Sequence, residues 1–360
     1  MLTKNPAQDE FEVSIFGPGV GECVVLHLGR GKWMIIDSCL DQNTKQPVAL
    51  DYLGALNVDV ANDVAAIVVT HWHDDHTRGA SAVLRACAKA SFFCSSAVGR
   101  REFFQLVAAA QQLELRAEKG SGIDEMARVF AVLEERLKRS EGRFPSPEYA
   151  AAQTIIFRAE ANEKNPGCVV EALSPSSTSV TRGMLSFAPR LMSAKKAIPN
   201  PGPNELSVAL HVEFGEFAAL LGADLELGSS DGVGWRAVVR NSRRPTRKAT
   251  VIKVPHHGSA GADDPEAWSA LVGQDAHAAV TSYTSSQLPR ESDLHRIRPR
   301  VARLFHSSAS KSRAIKFDPA TERSLEGIRI RERAGTMGHI RFRAKGAALS
   351  CELFGAAREV

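Results

Sequence analysis

The stretch Thr70-His71-Trp72-His73-Asp74-Asp75-His76-Thr77-Arg78-Gly79 places three histidines and two aspartates within six consecutive positions. In a short loop, imidazole and carboxylate heads at this spacing converge on one point. That donor set suits zinc or a similar divalent ion, which takes nitrogen and oxygen ligands. The β-prone apolar run at residues 65–70 delivers the cluster at the end of a strand. Small residues at 79–81 then turn the chain into a helix predicted over residues 80–89.

Working outward, residues 11–16 alternate apolar and polar and predict a first strand. The Gly-rich turn at residues 17–22 is not a phosphate loop: it lacks the Lys-Ser/Thr ending, and a strand follows it rather than a helix. Strands at residues 23–28 and 32–36 follow, with Asp37 closing the third. Helices are predicted at residues 51–56, 101–115, 122–139 and 264–271. Later strands are predicted at residues 154–159, 169–173, 206–214, 217–221, 251–254, 278–283, 301–306, 338–342 and 348–354, with loops at 174–179 and 194–203. The order is β-rich, then α, then β-rich, then α. It predicts an α/β fold with two sheets face to face and helices outside. Three strands end in candidate ligands: His71, Asp224 after Gly222-Ala223, and the pair His256-His257 before Gly258-Ser259.

With 360 residues, 44% hydrophobic and 24% charged, the composition is that of an ordinary globular protein. No apolar run is long enough to span a bilayer. Residues 1–10 lack a signal peptide's apolar core, so the expected location is the cytoplasm, with no membrane partner. The six cysteines show no CxxC spacing, and buried free thiols are expected. The net charge is +4, but residues 232–316 hold 15 Arg and Lys against 6 Asp and Glu. A basic region beside a metal site would attract a polyanion; as a bland alternative it is a solvated surface.

The His-x-His-x-Asp-His pattern after a strand resembles the signature of the metallo-β-lactamase-fold hydrolases. Three further segments narrow the likeness: Asn204-Glu205-Leu206-Ser207, Leu221-Gly222-Ala223-Asp224 and Lys253-Val254-Pro255-His256-His257-Gly258-Ser259. Together they look like the branch related to the hydrolase domain of the competence protein ComEC/Rec2, without its membrane channel. The resemblance implies a metallo-β-lactamase-like αββα sandwich. It would be one domain over residues 1–360, with a helical insertion at residues 100–150 that could also serve a protein partner.

Residue by residue, the resemblance implies that His71 and His73 bind a first metal, and Asp75 and His76 a second. Asp224 would bridge both, and His256 or His257 would complete the second site. Asp75 and His257 are the candidate catalytic residues. On an extended strand, adjacent residues face opposite ways, so one of the paired histidines binds and the other faces elsewhere. Asp37 is expected to orient the metal loop by accepting a hydrogen bond. One departure stands out. Between His76 and Asp224 the only histidine is His211, in the middle of a predicted strand and better suited to packing. The first position is therefore a ligand short, to be filled by water, Asn204, Ser207 or the second paired histidine. Asp74 is expected to make a supporting or solvent contact. Ser259 is expected to contact substrate or to cap the helix at 264–271. Lys253 reads as structural.

The implied activity is a metal-dependent hydrolase with one or two Zn²⁺ ions, Mn²⁺ being an alternative. A metal-activated hydroxide would cut a phosphodiester, DNA or RNA first. The alternatives are a hydrolase of a small phosphodiester or ester, and a non-catalytic, metal-stabilised nucleic-acid-binding or regulatory subunit of a multi-protein system such as a defence system.

Overall fold

A strand buried on both faces needs apolar residues at nearly every position, whereas a strand with one wet face alternates. The central runs at residues 33–36, 64–69 and 217–221 are of the first kind. The computed structural model describes residues 4–17, 21–98, 122–139, 147–192, 204–308, 313–314, 331–332 and 337–360. The helix expected at 101–115, the loop at 194–203 and part of the 17–22 turn lie outside these.

In chain order the strands are Phe11–Gly17 (β1), Cys23–His27 (β2), Trp33–Ile36 (β3), Val64–Val69 (β4), Ser91–Ser95 (β5), Glu148–Ala150 (β6), Ile155–Ala159 (β7), Cys168–Ala172 (β8) and Leu210–Phe214 (β9). Then come Phe217–Leu221 (β10), Ala249–Lys253 (β11), Val272–Val280 (β12), Arg303–His306 (β13), Arg313–Ala314 (β14), Arg331–Glu332 (β15), Gly338–Lys345 (β16), Ala348–Gly355 (β17) and Arg358–Glu359 (β18). The helices are Val48–Ala55 (α1), Val60–Asp63 (α2), Asp74–Thr77 (α3), Ala80–Ala86 (α4), Gly122–Arg139 (α5), Ser177–Met192 (α6), Gly234–Arg240 (α7), Pro265–Leu271 (α8) and Glu291–Ile297 (α9).

Two eight-stranded sheets form, in the orders β17-β16-β1-β2-β3-β4-β5-β6 and β18-β13-β12-β11-β10-β9-β8-β7, with β14 and β15 pairing separately. In the first sheet β3 to β6 are parallel, and in the second β10 to β13 are parallel. The alternation of side chains then assigns layers. Val24, Leu26, Met34, Ile36 and Val68 pack against Val170, Leu210, Val212, Leu221 and Val251 between the sheets. Their neighbours Val25, Ile35, Ile67 and Val69 face the other way, onto α1, α4 and α5. Leu220, Ile252 and Ala278 do the same on the second sheet, beneath Trp235 of α7, Leu271 of α8 and Ile297 of α9. The result is the anticipated four-layer α/β sandwich. The parallel strands leave their carboxyl ends along one rim, where an α/β sheet characteristically places its ligands.

Several boundaries differ from the sequence expectation. The predicted loop at 174–179 already contains the start of α6 at Ser177. The predicted strand at 206–214 is β9 preceded by a 3₁₀ turn at Asn204–Leu206. The reason is local. Ser174 Oγ donates to Ser207 O at 2.6 Å and accepts from Ala209 N at 2.9 Å, replacing ladder bonds with side-chain bonds. Strand β12 starts at Val272 and ends at Val280, so residues 281–283 leave the sheet. Strand β6 and helix α7 were not anticipated. Helix α5 puts Met126, Val129 and Val132 into the core beside Val83 and Leu84, so the described part of the insertion is an outer-layer helix. The polar residues of β1 do not face water. Glu12 is fully buried, accepts from Arg343 Nε at 2.8 Å and Tyr52 OH at 2.5 Å, and is flanked by Ser14. All six cysteines are free, and five of them are buried.

Three buried histidines outside the site give an acid-stability prediction. Burial pushes His27 and His306 down to about 4 and His339 down to about 3. These rings fold neutral, while the unfolded chain takes up protons below about 6.5. Their stabilisation is therefore complete above about pH 6.5 and is lost as pH falls toward 4, by about 1.4 kcal/mol per ring per pH unit. The melting temperature should drop by on the order of 10 °C between pH 7 and pH 5. A flat profile over that interval would show that these rings are not dry.

Candidate metal centre

The site forms on the rim where both sheets present strand ends. After β4, the chain leaves the sheet at Thr70 and delivers His71 and His73, with Asp75 and His76 following in the single turn α3. After β10, Ala223 takes a left-handed conformation (φ 44°) and turns Asp224 inward. After β11, Pro255–Gly258 forms a 3₁₀ turn in which His256 and His257 both have positive φ, 47° and 51°. The paired histidines are therefore not on an extended strand, so strand alternation does not set the directions of their rings. Both rings approach Asp224, with His257 Nε2 at 3.7 Å and His256 Nε2 at 3.8 Å from Oδ2. His257 is fully buried, while the His256 side chain is 20% exposed.

Among the described residues, two groups of side chains offer ligand atoms within 4.8 Å of one another: His71, His73 and Asp224, and Glu22, His76, Asp224 and His257. Asp75 adjoins the second group, its Oδ2 lying 3.3 Å from His257 Nε2 and 3.6 Å from His76 Nε2. Asp224 is common to both. His71 Nε2 and His73 Nδ1 are 3.2 Å apart. His76 Nε2 and Asp224 Oδ1 lie 3.3 Å apart, are buried, and have no hydrogen-bond partner among the described residues. Buried polar atoms are rarely left unpaired, so this pair fits a cation between them.

The rings are aimed from behind. Asp37 accepts from Thr70 N at 2.7 Å and Thr70 Oγ1 at 2.8 Å, and its Oδ2 lies 2.7 Å from His76 Nδ1. This holds Nδ1–H of His76 outward and leaves the Nε2 lone pair facing the site. Thr70 has spent its proton on Asp37, so at 3.0 Å its oxygen can only accept from His71 Nδ1. Ser207 Oγ also lies 3.0 Å from that nitrogen, which makes Ser207 a support for His71 and not a replacement ligand. Asn204 Nδ2 donates to Glu226 at 3.0 Å and lies 3.3 Å from His256 Nε2.

Electrostatics follows from four buried carboxylates around these rings. Burial alone would depress His76, but Asp224, Asp37, Asp75 and Glu22 outweigh it and raise it well above its ordinary value. Burial would raise Asp224, and the charges of His76 and His257 instead hold it well below. Burial pushes His71 well down, assisted by His76 and His73. The carboxylates thus favour positive charge at the His76 end, as a proton or as a bound cation, and burial disfavours it on the His71 ring.

Other expected residues fall elsewhere. His211 is buried with Nε2 2.9 Å from Arg247 O, away from the cluster. Asp74 accepts from Gly122 N and starts α5, where a Cβ on residue 122 would lie 1.9 Å from Trp72 O. Ser259 caps the 3₁₀ turn Ala260–Ala262 by accepting from Gly261 N at 3.3 Å. Helix α8 is capped instead by Asp264, which accepts from Glu266 N and Ala267 N. Lys253 is buried beneath the site, 2.6 Å from Glu22 and 4.0 Å from Asp224.

Glu22 and Arg296 went unread as site residues, while Thr281 and Tyr283 belong to the polar run at 281–286 that the sequence offered only as a lining of the cleft. Only Gly21 hinted at Glu22: a Cβ there would lie 2.7 Å from Asp75 O, so only glycine allows the Glu22 N to Asp75 O bond of 2.9 Å. Tyr283 stacks on His257 with centroids 5.2 Å apart. Arg296 of α9 donates to Gly258 O at 2.6 Å and pairs with Asp263 and Asp293 at 3.0 and 2.8 Å, pinning the histidine turn. Arg296→Ala should cost about 2 kcal/mol in urea unfolding, the range for hydrogen bonds to charged groups. A loss under about 0.5 kcal/mol would show that the turn holds itself.

Residues 16–124 match the family model of the metallo-beta-lactamase superfamily. That stretch of the chain is similar to a superfamily whose members are generally metal-dependent hydrolases, and the two sheets with outer helices are consistent with the superfamily's fold. The matched stretch holds Glu22, Asp37 and His71 to His76, and the structure adds Asp224, His256 and His257 from beyond it. No curated protein matches the chain. No described helix is long and apolar enough to cross a membrane.

Proposed function

We propose that this chain is a metal-dependent phosphodiester hydrolase acting on DNA or RNA, of the ComEC/Rec2 hydrolase type. The observation that carries the metal reading is the sharing of Asp224 between two donor sets. His71, His73 and Asp224 would hold one cation, with His256 at hand as a further nitrogen. Asp75, His76, Asp224 and His257 would hold the other. With neutral histidines, the buried Glu22, Asp37, Asp75 and Asp224 outnumber Lys253 by three charges, which one or two divalent ions would offset. Zn²⁺ suits these donors, and Mn²⁺ is the alternative. When bound, such an ion supplies Lewis acidity and lowers the pKa of a water.

The chain's own residues would do the rest. Asp37 and Thr70 keep His71 and His76 aimed. Tyr283 covers His257 and narrows the approach. Phosphate recognition rests on the basic stretch at residues 232–316, with a restriction. Arg240, Arg247, Arg296, Arg300 and Arg303 are paired with carboxylates of the chain. Arg290 is exposed, next to Pro289, which packs near Gly258 of the histidine turn. It is the arginine we assign to meet a phosphate. A protein partner on α5 would have to use the face opposite Met126, Val129 and Val132.

The test is cleavage of single-stranded DNA, duplex DNA, RNA and bis(p-nitrophenyl) phosphate by purified protein with Zn²⁺ or Mn²⁺. Cleavage of a polymer supports the reading. Turnover of the small diester alone would move it to a small-molecule phosphodiesterase. Salt-dependent retardation of DNA without cleavage would replace it with a binding module.

A further inference from the structure

The Asp37–Thr70–His71 arrangement has a counterpart on the other side of the site. Glu22, at the start of β2, and Thr281, just past β12, are both buried and come from opposite sheets. Thr281 Oγ1 donates to Glu22 Oε2 at 2.7 Å. The same oxygen lies 3.0 Å from His257 Nδ1. Lys253 sits 2.6 Å from Glu22 Oε1 and donates to Ala223 O at 2.9 Å.

We propose that Lys253, Glu22 and Thr281 form a directional hydrogen-bond relay that holds the Nδ1–H of His257 and turns its Nε2 toward the second cation position. The direction follows from donor counting. An ammonium only donates, so Glu22, paired with it as a carboxylate, only accepts. Thr281 has one proton and gives it to Glu22. Its remaining contact, with His257 Nδ1, must then be an acceptance, and Nδ1 carries the hydrogen. In the neutral ring the Nε2 lone pair is thereby turned toward Asp75 Oδ2 and Asp224 Oδ2, at 3.3 and 3.7 Å. Glu22 is held on the Nδ1 side of the ring, 3.6 Å from that nitrogen, as an orienting group and not a ligand. The hydrogen bonds of the relay end on His257, which belongs to the second donor set and not to the first. Orienting partners of metal-bound histidines are typically worth about 10–100-fold in metal affinity.

This inference rests on the two-position reading of the centre, and the experiment separates the two. Zn²⁺ is titrated calorimetrically into wild type, Thr281→Val and Thr281→Ser, each checked by thermal unfolding, with histidine ¹⁵N NMR as a second readout. Wild type should bind two equivalents. Thr281→Val should weaken one of them about 10–100-fold, leave the other unchanged and lose the Nδ1–H signature of His257. Thr281→Ser, which keeps the hydroxyl, should restore both. Equal weakening of both equivalents in Thr281→Val, or no weakening, would overturn the relay. So would a single wild-type equivalent that Asp75→Ala leaves intact, although a mononuclear centre would then survive. A wild type that binds no Zn²⁺ or Mn²⁺ would remove the metal reading itself.

Discussion

Asp224→Ala should abolish both metal binding and hydrolysis, with a rate loss of at least about 10³-fold. The expectation comes from the place of one carboxylate in two donor sets. Its Oδ1 lies 3.3 Å from His76 Nε2, and its Oδ2 lies 3.7 Å from His257 and 3.8 Å from His256. Removing it takes an anionic donor from each proposed cation position at once. It also leaves His76 and Lys253 facing a site with one negative charge fewer. A metal's stabilisation of transition-state charge is worth several kcal/mol, and each 1.4 kcal/mol is about tenfold in rate. The measurement pairs metal content with cleavage rate, and circular dichroism confirms the fold. Full activity in the variant would mean that the catalytic centre lies elsewhere. His73→Ala should empty the His71 side while sparing the other, because His73 belongs to one donor set only.

Asp37→Asn should keep the fold but weaken metal binding about 10–100-fold, the usual consequence of losing an orienting partner. The amide oxygen can still accept from Thr70 N, as the carboxylate does at 2.7 Å. The amide nitrogen cannot accept. It would take the place of Oδ2 and meet both His76 Nδ1–H and the Thr70 hydroxyl as donor against donor, and the His76 ring would lose the tautomer that presents Nε2. The change also removes a buried charge, which burial already pushes toward its neutral form. Stability should therefore move little while the affinity moves much. Calorimetric titration beside a thermal melt separates the two quantities, and an unchanged affinity would show that the backbone alone aims His76.

Much of the fold could be read from local pattern. The runs around residues 23–36 and 64–69 are apolar because both faces of those strands are covered, and that shows directly as missing alternation. The boundaries that failed did so where side chains replaced backbone pairing. Ser174 bonds to the 207–209 segment, so β9 starts later than its β-prone composition suggests. The polar residues of β1 alternate with apolar ones, yet Glu12 is sealed by Arg343 and Tyr52, from 331 and 40 residues away in sequence.

The sequence by itself determined that a histidine–aspartate cluster follows a strand, that Asp224 and the His256-His257 pair follow later strands, and that two sheets with outer helices hold them. These are local facts of spacing and periodicity. Only the tertiary structure decided how each ring is turned and which groups stand behind it. Thr281 meets Glu22 across a separation of 259 residues, and His257 meets Asp75 across 182. The left-handed turn at 256–257 is imposed by its anchors: His256 N on Ala223 O at 2.8 Å and Gly258 O on Arg296. Hydrogen-bond direction and ring orientation depend on partners brought together by packing, and no local pattern records them.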